Sequence, residues 1–216
     1  GFPVFPLDWH DPISGEKSSG YRERGYFPEA FVNMLAFLGW NPGTEQEIFS
    51  LEELVEAFTL ERVGKSGAKF NPEKAAWFNQ QYLTSYSNEA LAKMFRPVLE
   101  SKGIQVNEEY LVGSCALIKE KASFVTEFWE VGNYFFQNPE TYDEKVIRKK
   151  WNEKSKSFFS TLAEELKTEE WTAENLENKF KAVAEGLGIN PGSMMQLLRV
   201  LLSGKAGGPA LFQMVE

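Results

Sequence analysis

Apolar residues recur every three to four positions along most of the chain, and period-two alternation is almost absent, so the pattern predicts an all-α fold. The clearest stretch runs from Ser50 to Leu83 and contains two helix starts. Ser50 with Glu53 forms a capping box, and Asn71-Pro72 places an N-cap before a proline at the first helical position. In the second of these helices Ala75, Phe78 and Tyr82 share one stripe, while Lys74, Trp77 and Gln81 share its neighbour. The first stripe is suited to a core. The second presents a cation, an indole and an amide on one surface, a combination that fits a polyanion carrying flat bases or riboses. The plainer reading of the same spacing is an amphipathic helix with a half-buried tryptophan.

The remaining elements follow from the same periodicity. Residues 1–20, with Pro3, Pro6 and Pro12, read as extended chain and loop, with Phe2, Phe5 and Trp9 tucked against the body. Pro28 starts a helix whose apolar face is Phe31, Met34, Leu35 and Leu38, closed by Gly39. After the polar segment 84–88, Leu91, Met94, Phe95, Val98 and Leu99 specify a helix that Pro97 should kink. Residues 108–118 and 122–131 read as two helices around Lys119-Glu120-Lys121. From Asp143 one long helix carries Val146, Ile147, Trp151, Phe158 and Leu162, with Arg148, Lys149, Lys150, Lys154 and Lys156 between them. Glu144 and Glu153 dilute that basic run, which reads as a solvated face. Thr172 caps a helix bearing Leu176, Phe180, Val183 and Leu187, ended by Gly188. Asn190-Pro191 opens another, with Met194, Leu197, Leu198, Leu201 and Leu202 inward and Gln196, Arg199 and Ser203 outward, ended by Gly204. A further helix start is expected at Pro209.

Composition narrows the chemistry. The chain has 216 residues, 43% of them hydrophobic, enough for one large domain or two to three small ones. With one histidine (His10) and one cysteine (Cys115) it has no internal disulfide and too few ligands for a Cys/His zinc site. His10 reads as a surface loop residue and Cys115 as a small buried hydrophobe, leaving no catalytic residues to name. No glycine-rich phosphate loop is present. No apolar run reaches the length of about eighteen residues that a membrane span needs, and no leader is visible, so the expected location is the cytoplasm. A first residue other than methionine suggests a fragment or a processed product. The net charge of −8 argues against an indiscriminate polyphosphate binder but permits local basic patches.

Particular segments add a resemblance. Gly25 through Trp40, Ile48-Phe49-Ser50-Leu51-Glu52-Glu53-Leu54, and Phe70 through Asn79 with its Lys-x-x-Trp-x-Asn pattern resemble the region that follows the catalytic core in bacterial glutamyl-tRNA synthetases. Leu198-Arg199 and the later Gly-Gly-Pro-Ala-Leu-Phe212 are similar to the anticodon-binding end of that family. Between about 100 and 185 the likeness rests on order and helical content. The family's ATP-binding signatures are not found here.

The resemblance implies a stem-contact helical domain over 1–85 and a two-part anticodon-binding cage over 86–147 and 148–216. It places Lys74 and Trp77 at the tRNA body. It assigns Lys121, Arg199, Pro209 and Leu211 to the anticodon. Lys121 stands where the family often has an arginine, and a lysine lacks the planar fork for bidentate base contact. Gly208 stands where some members carry a side chain. The implied partners are tRNA(Glu) and a catalytic domain in cis, in a monomer. ATP and Mg²⁺ would serve the full-length enzyme, with no cofactor and no metal in this part, which lacks the catalytic domain and should be inactive alone. The competing class is a helical protein-interaction module without an RNA role, for which the net acidity speaks.

Overall fold

The computed structural model describes residues 5–168 and 170–216. Ten α-helices make up the described fold: α1 (Pro28–Phe37), α2 (Leu51–Ala57), α3 (Pro72–Ser85), α4 (Asn88–Ser101), α5 (Glu108–Ile118), α6 (Phe128–Gly132), α7 (Glu144–Lys150), α8 (Glu153–Glu165), α9 (Ala173–Gly186) and α10 (Pro191–Ser203). The sheet content is a two-residue antiparallel ladder pairing Trp9 with Ser18 and His10 with Lys17. The all-α reading holds.

Helix starts follow the capping chemistry of the sequence. The Ser50 hydroxyl accepts from Glu53 N, and the Glu53 carboxylate accepts from Ser50 N. Asn71 accepts from Glu73 N and Lys74 N, satisfying two of the four amides that a helix leaves unpaired at its start. Asp143, Thr172 and Asn190 cap α7, α9 and α10 in the same way. Helix α9 ends in a Schellman motif: Gly188, at φ +63°, donates to Glu185 O while Ile189 N donates to Ala184 O.

Several expectations are corrected. Gly39 does not take a left-handed conformation; its carbonyl instead accepts from Gly64 N at 2.6 Å, beside a bridge between Trp40 and Val63. Helix α4 runs through Pro97, as its apolar spacing specifies. The expected helix over 122–131 is instead a short 3₁₀ turn, Val125–Glu127, running into α6 after a non-helical start. The expected long helix from Asp143 is two helices, because Asn152 turns out of the first and caps the second. On α10 the buried positions include Val200 and Ser203, whereas Leu202 is exposed. Pro209 starts no helix; the chain from 211 to 215 is a series of turns. Phe5 and Trp9 remain substantially exposed and pack on each other at 5.2 Å, while Phe2 lies outside the described residues.

Contact density divides the molecule into two compact units that interleave along the chain: one runs to Gly103 and recruits Ala122–Phe128, the other joins Ile104–Lys121 to Trp129–Glu216. The first unit is built on α1 against α3, around Tyr26, Met34, Ala75 and Phe78, with a second cluster of Trp40, Phe49 and Leu54. Buried asparagines tie its segments together. Asn79 Oδ1 accepts from Phe27 N and its Nδ2 donates to Ser123 O, which anchors the returning 122–128 strip. Asn33 Oδ1 accepts from Phe49 N and lies 2.7 Å from the Tyr82 hydroxyl. The second unit packs α7, α8, α9 and α10 around Phe158, Phe180, Leu197 and Val200.

Candidate nucleic-acid interface

Helix α3 presents the two stripes that its sequence specifies. Ala75, Phe78 and Tyr82 are buried, and Lys74, Trp77 and Gln81 are partly exposed. The Lys74 ammonium sits 3.8 Å from the centroid of the Trp77 ring and 2.7 Å from Glu47 Oε1. The indole lies edge-on to Phe78 and against the core, so it forms a fixed platform under the cation. Glu47, 27 positions away, could not be paired with Lys74 from spacing. The side chains of Lys74 and Glu47 are 41% and 44% exposed, so the cation remains reachable from solvent while already satisfied.

The second unit gathers some of the other predicted residues and separates one. Arg199, half-buried on α10, donates through Nη1 to the Pro209 carbonyl at 2.6 Å and lies 3.5 Å from Met214 Sδ. It was expected on an outer face; it instead pins the segment after α10. A Cβ added at Gly208 would stand 3.0 Å from that same Nη1, so the absent side chain is what allows the close approach. Pro209 is buried, as is Leu211, which is 7% exposed, so in this conformation Leu211 faces the protein interior. Lys121 is exposed at the end of a 3₁₀ turn after α5, and no hydrogen bond or ion pair joins it to Arg199 among the described residues.

Gly204 ends α10 as its sequence position specifies, while several other participants carry no strong sequence signal. Gly204 takes φ +74° at the end of α10, and a Cβ there would meet Thr141 O at 2.3 Å. Its carbonyl accepts from Asp143 N, so α10 and the start of α7 are joined through backbone. The Ser203 hydroxyl donates back to Arg199 O and accepts from Lys205 N, and Lys205 reaches the Glu130 carbonyl. Tyr134 lies in the 3₁₀ turn 133–135, which packs against α10; its buried hydroxyl has no partner among the described residues. The aromatic run Tyr134-Phe135-Phe136 was the only hint of it. A groove of about 800 Å³ runs along α5, where Glu109, Tyr110 and Glu120 face Phe135 and Met214. Its carboxylates repel phosphate and accept from amino groups, so it suits base edges better than a backbone.

The residues that could support other chemistry are placed elsewhere. Cys115 is fully buried, and burial together with the Glu108 charge pushes its thiol up to about 12, so it stays protonated and inert. His10 is exposed in the small ladder. Among the described residues no group of three His, Cys, Asp or Glu is placed to hold a metal ion, and no helix is long and apolar enough to cross a membrane.

Comparison with known proteins places the chain among its relatives. Residues 85–216 match the anticodon binding domain family. Residues 14–77 match the catalytic domain of class I tRNA synthetases (E and Q). A piece of catalytic domain is therefore present, which narrows the expectation that this part lacks it, and the piece includes Lys74 and Trp77. The chain is 46% identical over its full length to a glutamate–tRNA ligase of Parabacteroides distasonis and 49% identical to one of Christiangramia forsetii. It spans 43% of the length of each of these relatives. A crystal structure of a glutamate tRNA ligase from Elizabethkingia meningosepticum, in complex with its amino acid, is similar with a TM-score of 0.91 at 41% identity; the match covers 99% of this chain and 43% of that one.

Proposed function

The chain belongs to the glutamate–tRNA ligase family, and on that premise we propose that it is the tRNA-binding part of such a ligase, contacting the body of tRNA(Glu) and reading its anticodon. Lys74 and Trp77 take the tRNA body: the ammonium pairs with phosphate and the indole with a ribose or base face. Arg199, the Pro209 backbone and Leu211 hold an unstacked anticodon base, and Lys121 supplies a point charge to another. Residues 1–85 serve the stem, and 86–147 with 148–216 serve the anticodon, a functional division distinct from the two compact units. The observation that carries the reading is the guanidinium of Arg199 held against the Pro209 carbonyl beside Gly208, within the anticodon-binding segment. That arrangement fixes a cation and a backbone carbonyl beside a residue that carries no side chain.

In this reading the full-length ligase esterifies glutamate to tRNA with ATP and Mg²⁺, works in the cytoplasm as a monomer, and carries its catalytic domain in cis. This part is inactive alone and uses neither cofactor itself.

The test is a salt titration of binding to glutamate tRNA and to an anticodon-swapped version. Affinity should fall with salt for both, since phosphate contacts release counterions, and should favour the cognate anticodon. Arg199→Ala should remove roughly 1–3 kcal/mol of that preference, the scale of a good base contact. Equal affinity for the two tRNAs removes the anticodon claim. Absence of a salt slope points instead to a protein-interaction module.

A further inference from the structure

We propose that the pocket between α7 and α10 takes an unpaired, amino-bearing base of a single-stranded RNA, stacked on Trp151, with the adjoining phosphates on Lys145 and Lys149. The site is separate from the anticodon surface proposed above and does not rest on it. Leu201 lines the pocket from the side of α10 away from Arg199, since residues two apart on a helix point about 200° apart.

The pocket is open and its aromatic walls are fixed. It has a volume of about 640 Å³, and its apolar walls are Tyr142, Ile147, Trp151 and Leu201. Trp151 and Tyr142 are 40% and 44% exposed, so a ligand reaches both from solvent. The indole is held in place: it lies 17° from parallel to the Phe159 ring, with centroids 6.3 Å apart, and the Trp151 amide donates to Ile147 O. A flat side chain that is fixed yet open is a platform on which a base can stack.

Charge is arranged around that platform. Glu144, Ile147, Arg148 and Trp151 recur at helical spacing and give the pocket its α7 wall. Lys145 and Lys149 form the next row round the helix, both exposed and neither in an ion pair among the described residues. Segment 140–156 has six Lys and Arg against four Asp and Glu in a chain of net charge −8, which makes it a local basic ridge on an acidic protein. Within the pocket the sign changes. Arg148 pairs with Glu144 at 2.7 Å, whereas the Glu140 carboxylate has no hydrogen bond or ion pair among the described residues. A carboxylate only accepts, so it favours the exocyclic amine of cytosine, adenine or guanine over the carbonyls of uracil. Cations outside, a carboxylate within and an indole between them match the phosphate, amine and flat ring of a nucleotide. An acidic protein segment would satisfy the ridge but leave Glu140 beside like charge.

The test is binding of labelled cytidine and uridine pentamers to the 216-residue chain, followed by fluorescence anisotropy over a range of salt. The cytidine pentamer should bind more tightly than the uridine one, and its affinity should fall as salt rises. Trp151→Ala should weaken the cytidine pentamer roughly fivefold or more, the scale of a lost base–aromatic stack. Glu140→Gln, at an exposed position, should leave the thermal midpoint unchanged and narrow the preference between the pentamers roughly threefold or more. Arg199→Ala is the control and should change neither. No binding of either pentamer overturns the inference and leaves the basic run a solvated face. Loss on Arg199→Ala rather than Trp151→Ala also overturns it, by placing the strand on the other side of α10. So does cytidine monophosphate binding as tightly as the pentamer, which would make the pocket a site for free nucleotides. If these results hold while the anticodon-swapped tRNA binds as well as glutamate tRNA, only the earlier reading fails.

Discussion

Lys74 is held between an indole face and a carboxylate, and that position would limit what it could contribute to the proposed tRNA binding. A phosphate at Lys74 would share the ammonium with Glu47, so part of the attraction would be offset before any RNA arrived. A pair this exposed contributes at most about 1 kcal/mol to stability. Glu47→Gln should therefore leave folding stability within about 1 kcal/mol while tightening tRNA binding by roughly two- to fivefold at low salt. A filter-binding series over salt checks it: weaker binding, or no change at the lowest salt, would show that Lys74 is not a phosphate contact. Helical spacing put the lysine and the tryptophan on one stripe, and only the family resemblance made that stripe a candidate site. The glutamate was not legible, since only the folded chain brings the segment before α2 onto α3. Asn79 behaves alike. Its place in the Lys-x-x-Trp-x-Asn pattern was visible, but its bonds to Phe27 N and Ser123 O depend on two distant backbone segments.

Helix boundaries were readable wherever the chemistry is local. The caps at Ser50, Asn71, Asp143, Thr172 and Asn190 each need only the next two or three amides, so sequence alone specifies them. Asn152 is the exception. The apolar stripe through Val146, Trp151 and Phe158 suggested one helix, yet Asn152 accepts from Lys154 N and Ser155 N while the Ser155 hydroxyl accepts from Asn152 N. This local box competes with helix continuation and wins. Asn152→Ala should destabilise the protein by about 1 kcal/mol, the usual scale of a lost N-cap, measured by denaturant titration. A stability unchanged within a few tenths would mean that tertiary packing, rather than the cap, breaks the helix. Near α6, the obstacle to reading was close approach: a Cβ on Gly132 would fall 2.3 Å from Ile118 Cδ1, a contact that no periodicity reveals.

At the scale of the molecule, burial of weak acids makes stability depend on alkaline pH. Burial raises the Cys115 thiol from 9.0 to about 12 and the Tyr134 phenol from 10.0 to about 12. Folded chains thus hold these protons where unfolded chains release them. The stabilisation is complete below the unfolded values and is lost as pH rises from about 9 towards about 12. The thermal midpoint should accordingly be nearly flat from about pH 7 to about pH 8.5 and fall steeply above about pH 10. Tyr134→Phe should make that fall shallower. A midpoint level up to about pH 11 would contradict the burial of these groups.

Sequence by itself determined the helical class, most helix starts, the α3 stripes and the family resemblance, because periodicity, caps and short motifs are encoded within a few residues. Only the tertiary structure decided which polar groups meet. It placed Glu47 on Lys74, brought the strip 122–128 back to Asn79, turned Arg199 onto the Pro209 carbonyl, and left the Tyr134 hydroxyl beside Gly208. Each of these contacts joins residues ten or more positions apart. Their formation depends on which apolar faces are buried together, and no local pattern along the chain records that choice.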